Sequence, residues 1–219
     1  MSGSASVMAL QQMLNGVLRP SPGLTVDGLM GPATRAALAR YNAISGQAGS
    51  PSGRMIVAHQ RPGPLAPPPV TQSSDIWMAI AESELGQAEA AGAAQNPRII
   101  NYHATTSLRA EADEVPWCSS FVNWVMRQAG FVGTNSAAAR SWLGWGTATT
   151  ARYGAITVIQ RKGQDSDEAT GSATGYHVGF LIEASSQRVR LLGGNQGDMV
   201  KISGFMLSSY DIRGFRWPV

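Results

Sequence analysis

Residues 45–72, SGQAGSPSGRMIVAHQRPGPLAPPPVTQ, set the first limit on the fold. Proline, glycine and serine at this density cannot carry a helix or strand through the middle of one core. The PGPLAPPP part is extended and semi-rigid by composition. The stretch reads as a linker, so the 219 residues divide into a small segment, 1–44, and a larger domain, 73–219. The apolar trio Met55-Ile56-Val57 is the part of the linker suited to dock on a domain.

The N-terminal segment predicts two helical stretches. Val7, Leu10 and Leu14 recur at i, i+3 and i+7, with Gly16 as a stop. Asp27-Gly28 signals a turn, and Gly31-Pro32 opens a second helix over about 32–42, packed through Ala33, Ala36, Ala37 and Leu38.

The larger domain opens with SSDIWMAIAESELG. Ser74 suits an N-cap, Ile76, Ala79, Ile80 and Leu85 form a core-facing stripe, and Gly86 ends the helix. NPRIINYHATT predicts a short helix. From Tyr153 onward the pattern turns to strands, in YGAITVIQR, HVGFLIEA, QRVRLLGGN, MVKISGF and IRGFRWP. Helices first and an antiparallel meander after define an α+β fold.

The single cysteine excludes an intrachain disulfide, so Cys118 is apolar filler, an incidental residue or a reactive thiol. Cys118, Phe121, Val122, Val125, Met126 and Ala129 form one apolar helix face. Pro116 suits the first turn, Asp113 or Glu114 can cap it, and Gly130 stops the helix. Cys118 therefore sits at a helix N-terminus. The dipole there favours a thiolate, which predicts a lowered thiol pKa and N–H donors for an oxyanion.

Of the three histidines, His59 lies in the linker and His103 has no partner pattern. His177 begins a strand in which Val178, Phe180 and Ile182 share one face. His177 shares the other with Gly179 and Leu181. If Ser185-Ser186-Gln187 form the turn, Ala184 opposes Arg188 and His177 opposes Asn195 on the same face. A two-residue loop sets His177 opposite Gly194 instead. In both registers the Asn195 amide neighbours the ring, and Gly193-Gly194 keep the strand slim, as a substrate groove requires. Cys, His, Asn is the chain order of a thiol nucleophile, its base and the group that orients the base. The sulfur, an imidazole nitrogen and a carboxamide oxygen are then expected to converge at the mouth of a cleft. Trp117 and Trp145 are candidates for its wall, and the polar stretch 161–176 is either a lid or a surface insertion.

These pieces resemble known families. DEVPWCSSFVNWVMRQAG, HVGFLIE and LLGGNQGD resemble the CHAP group of cysteine, histidine-dependent amidohydrolases and peptidases, relatives of the NlpC-type wall peptidases, as do NPRIINYHATT and GFRWP. The resemblance implies a papain-like domain with Cys118 as nucleophile, His177 as base and Asn195 as orienter. Many such proteins carry an acid two residues before the asparagine. Here Gly193 holds that place, so Asn195 acts alone or with a distant acid such as Glu183 or Asp113. The stretch ALQQMLN followed by LTVDGLMGPATRAAL is similar to a three-helix peptidoglycan-binding module, with Asp27, Gly28, Gly31, Pro32 and Thr34 on the family's motif. RPSPG stands where that family has a Gly-Tyr pair.

Together the two resemblances imply a peptidoglycan hydrolase that cleaves an amide of the wall stem peptide, as an N-acetylmuramoyl-L-alanine amidase or an endopeptidase. Alternatives are a secretion-system effector of the same chemistry and a non-catalytic wall-binding protein. Glu82 and Glu84 sit two apart on one helix and face different ways, so they do not make a glycosidase pair. Three scattered histidines do not supply a zinc amidase. GGNQG lacks the lysine and following helix of a phosphate loop. No cofactor or metal is expected. A net charge of +3 without a basic stripe argues against nucleic acid, and no apolar run is long enough to span a membrane. The N-terminus lacks the pattern of a secretory signal. The expectation is a monomer made in a bacterial cytoplasm, released in the manner of a phage endolysin, and acting in the periplasm or wall.

Overall fold

The computed structural model describes residues 5–18, 21–45, 73–92 and 94–219. Met55-Ile56-Val57, His59 and the rest of the linker after Ser45 lie outside the described residues. Among these residues five α-helices come first, α1 (Ala5–Val17), α2 (Pro32–Ser45), α3 (Ser73–Ser83), α4 (Pro97–His103) and α5 (Cys118–Gln128). Six strands follow, β1 (Thr147–Ala148), β2 (Ile156–Arg161), β3 (Tyr176–Ala184), β4 (Arg188–Gly193), β5 (Lys201–Met206) and β6 (Tyr210–Trp217). They form one antiparallel sheet in the order β1-β6-β2-β3-β4-β5. The expected meander therefore holds only from β2 to β5. The last strand crosses back to pair with β2, and the two-residue β1 was not foreseen.

The sheet has a core on each face. On the helix side, Val178 and Phe180 of β3 join α5 and α3. On the other side, Ile159, Leu181, Val189, Leu191, Phe205 and Tyr210, drawn from β2 through β6, enclose a second cluster. The two faces predicted for β3 are those observed.

In the N-terminal segment two helices are present among the described residues, and the third helix of the expected module is not among them. Val7, Leu10 and Leu14 are buried as predicted and share the main cluster with Trp77, Met78 and Ile80 of α3. In α2, Ala37 and Leu38 are buried, but Ala33 and Ala36 face solvent. Buried Gln11 ties the intervening turn together. Its Oε1 accepts from the Gly28 N–H, and its Nε2 donates to Asp27 Oδ1, Leu29 O and Thr34 Oγ1. Asp27 also accepts from the Leu29 N–H, and Gly28 adopts a φ of 74° that favours glycine. Pro32 is the first residue of α2. The Asp27–Thr34 motif thus fixes the helix–helix turn.

Leu85 lies beyond the end of α3 and is exposed, which corrects the predicted stripe. Gly86 takes a left-handed φ of 87° there. The α5 helix is buried on its polar side as well as its apolar one. Each polar residue there is satisfied locally. Ser119 donates to Ser136 O and accepts from Trp142 Nε1, Ser120 meets His103 Nδ1, and Asn123 bonds Ser119 O and the Asn135 N–H.

Candidate active site

Cys118 is the first residue of α5. The N-cap is Trp117, with no capping side chain, so neither Asp113 nor Glu114 plays that part. Asp113 instead accepts from the Ala90 and Asn96 N–H groups. The thiol is 4% exposed and borders a cleft of about 210 Å³. Leu108, Val115 and Pro116 line one wall, Ala137 to Ala139 another, and Ser172, Ala173, Thr174 and Tyr176 the third.

Burial pushes the Cys118 thiol up to about 11, against the opposing pull of the N–H groups of Val178, Ser119 and Cys118 itself. The expected lowering is therefore reversed. Loss of solvent outweighs the helix terminus. The Val178 N–H beside the sulfur belongs to the residue directly after His177, which brings β3 to the start of α5.

His177 is fully buried, and burial pushes its imidazole down to about 4, with Gln196 and the more distant Asp167 pulling upward. Both groups are therefore neutral near pH 7. The His177 Nε2 lies 3.1 Å from Gln196 Oε1, while Nδ1 is buried with no hydrogen-bond partner among the described residues.

The β3–β4 register explains why Gln196 and not Asn195 meets the ring. Ala184 pairs with Val189, one residue past the predicted partner, and a bulge between Leu181 and Glu183 then restores Phe180 opposite Leu192. Continued to the strand ends, that register sets His177 level with Asn195, as predicted. The ladder stops first. Asn195 takes a left-handed φ of 55°, which breaks the alternation of faces, and the next side chain swings to the imidazole. The Asn195 amide packs against Gly171, and its Oδ1 is buried without a partner among the described residues. Glu183 is exposed and paired with Arg188 and Arg190, so it does not assist the ring.

Trp117 and Gly194 are core, not groove wall. Trp117 is fully buried, its Nε1 donates to Glu89 Oε1, and Gly194 packs on its indole. Trp145 is half-buried, donates to Val132 O and stacks edge-on against Trp142; it is not among the residues lining the Cys118 cleft. The 161–176 stretch is pinned down. Asp167 pairs with Ser172 and accepts from Thr170 and Tyr210, and Ala169 O accepts from the Gly197 N–H. Its Ser172–Thr174 part forms a cleft wall.

Gln196 and Asp167 are the site-side residues that sequence reasoning missed. For Gln196 the one available signal was adjacency to Asn195. Glu82 and Glu84 have separate partners, Tyr153 for the first and Arg98 with Tyr102 for the second. Among the described residues, no group of three or more His, Cys, Asp or Glu is placed to hold a metal ion, and no helix is long and apolar enough to cross a membrane.

Residues 110–195 match the family model described as CHAP domain, a segment that contains Cys118 and His177 and ends at Asn195. The match supports a CHAP-type hydrolase, a class of cysteine- and histidine-dependent amidases and peptidases. No curated protein and no solved structure matches the chain.

Proposed function

We propose that the chain is a peptidoglycan hydrolase that cuts an amide of the wall stem peptide by covalent thiol catalysis. One observation carries the reading. The Cys118 sulfur borders a cleft at a helix N-terminus, beside the backbone N–H of the residue that follows His177, whose ring nitrogen Nδ1 has no hydrogen-bond partner among the described residues.

Because thiol and imidazole both rest neutral, the proton leaves the sulfur for His177 Nδ1 as the S–C bond forms at the amide carbonyl. N–H groups at the start of α5 receive the oxyanion. His177 returns the proton to the departing amine as the C–N bond breaks. Water, deprotonated by the same nitrogen, then hydrolyses the thioester and restores the thiol. The uncharged lining of the cleft suits a small neutral residue beside the scissile bond. The N-terminal helices hold the enzyme on its insoluble polymer, which raises the effective substrate concentration, and a lytic role of the endolysin kind fits that pairing.

Zymography on purified peptidoglycan tests this. Cys118→Ala and His177→Ala each remove the clearing zone while Cys118→Ala still sediments with the wall. Undiminished clearing by Cys118→Ala sinks the reading. Mass spectrometry of the released muropeptides identifies the amide, either muramoyl–alanine or a bond within the stem.

A further inference from the structure

The orientation of the Gln196 amide is fixed by what surrounds it. Its Nε2 faces two backbone carbonyls, Leu191 O at 3.3 Å and Lys201 O at 2.5 Å. Both are acceptors only, so the NH2 end must point at them and Oε1 must point at His177. An amide oxygen only accepts. The imidazole nitrogen facing it, Nε2, therefore carries the proton, and in a neutral ring Nδ1 then holds the lone pair.

That lone pair is the one with no partner among the described residues. The two anchoring carbonyls belong to β4 and β5, so the sheet itself holds the amide. Gly193 supplies the clearance. A Cβ there would lie 3.0 Å from Gln196 Oε1 and 3.2 Å from His177 Nε2. Asn195 has no such arrangement, since its amide faces Gly171 in the 161–176 segment.

We propose that Gln196, rather than Asn195, is the positioning residue that holds His177 in the Nε2–H tautomer and so presents Nδ1 as the base for Cys118. The inference rests on the hydrolase reading for its consequence, but the tautomer is measurable without any turnover.

The experiment records long-range 1H–15N correlations of the imidazole in the full chain near pH 7. The His177 signals are assigned by their loss in His177→Gln. Wild type is expected to show a protonated Nε2 and a bare Nδ1. Gln196→Met keeps side-chain length but removes both ends of the hydrogen-bond relay. It is expected to give mixed tautomers and to lower kcat by up to about 10⁴-fold, the scale of loss when a catalytic imidazole is left in the wrong tautomer. Asn195→Ala is expected to leave the tautomer unchanged. A protonated Nδ1 in wild type, an unchanged tautomer in Gln196→Met, or a tautomer lost in Asn195→Ala overturns the proposal. If Gln196→Met does not fold, the wild-type and Asn195→Ala spectra decide it. Full hydrolysis by Cys118→Ala would remove the thiol mechanism while leaving the tautomer result to stand or fall alone.

Discussion

Gly194 meets the face of Trp117 with no space between them for another carbon. A Cβ at 194 would stand 2.4 Å from Trp117 Cζ3, 2.6 Å from Cε3 and 2.7 Å from Phe121 Cβ. The contact ties the turn after β4 to the residue just before Cys118. Gly194→Ala is expected to lower stability by about 1–3 kcal/mol, the usual cost of overpacking, in thermal or urea unfolding. Hydrolysis should fall further than stability does, because the turn that shifts carries Asn195 and Gln196. Unchanged stability in Gly194→Ala would show that the turn can move off the indole freely.

Thiol reactivity against pH distinguishes a neutral pair from a thiolate–imidazolium pair. With Cys118 raised to about 11 and His177 lowered to about 4 by burial, the sulfur is protonated throughout the neutral range. The rate of alkylation by a small uncharged haloacetamide should climb steadily with pH toward about 11. A plateau beginning near pH 5 would mean that the ion pair forms in the resting protein.

The same shifts fix the pH window of stability. His177 binds its proton near 4 when folded and near 6.5 when unfolded, so the unfolded chain takes up protons first as pH falls. Its contribution is complete above about 6.5 and is lost toward 4, a span worth about 3 kcal/mol. His103, also lowered by burial, acts in the same direction. Cys118 acts at the other end, since its raised pKa costs stability as pH climbs from 9 toward 11. Urea midpoints should therefore drop between pH 6.5 and 4, and His177→Gln should flatten that slope.

The parts legible in the sequence were those with a strong period. The α5 face from Cys118 to Ala129 and the two faces of β3 follow from spacing. The rest depended on what the other side of each element meets. Trp77 is buried against Phe131, Trp217 and the Gly154 carbonyl, on an α3 helix that α1 and α5 also contact, and no amphipathic pattern reports so many neighbours. The His177 register came out right at the site through two departures that cancel, a one-residue slip at the turn and a bulge at Ile182. Gln196 was hidden because a left-handed residue at Asn195 undoes the strict alternation on which facing arguments rest. The thiol pKa was misjudged because helix-terminal position is visible in sequence and depth of burial is not.

In the N-terminal segment the motif residues around Asp27–Thr34 converge on Gln11, which is 1% exposed. Gln11→Ala leaves the Gly28 N–H and Thr34 hydroxyl short of a buried partner, a loss of about 1–3 kcal/mol per unsatisfied group. The variant should release from peptidoglycan more readily in sedimentation assays and expose the α1–α2 turn to protease. Its hydrolysis of soluble muropeptide fragments should persist, since the Cys118 cleft has no lining residue from this segment. Equal loss on soluble and insoluble substrate would mean that these helices support the catalytic domain and do not act as a wall anchor.

Glu84, two residues from the half-buried Glu82, is 2% exposed and accepts two hydrogen bonds from Arg98 at 2.6 Å each and one from Tyr102 at 2.7 Å. The Arg98 guanidinium lies 4.3 Å from the Trp124 ring centre, and Arg35 of α2 reaches within 3.9 Å of the same carboxylate. One buried charge thus joins α3, α4 and the N-terminal segment behind α5. Removing only the acid leaves Arg98 partly buried and unpaired, so Glu84→Leu should cost about 3–5 kcal/mol. Replacing the pair together, Glu84→Leu with Arg98→Met, should recover most of that loss, because the desolvation of both charges disappears with them. Chemical denaturation of the two single variants and the double gives the coupling directly. Additive losses in the double would show that Glu84 acts through Tyr102 or Arg35 and not through the bidentate pair.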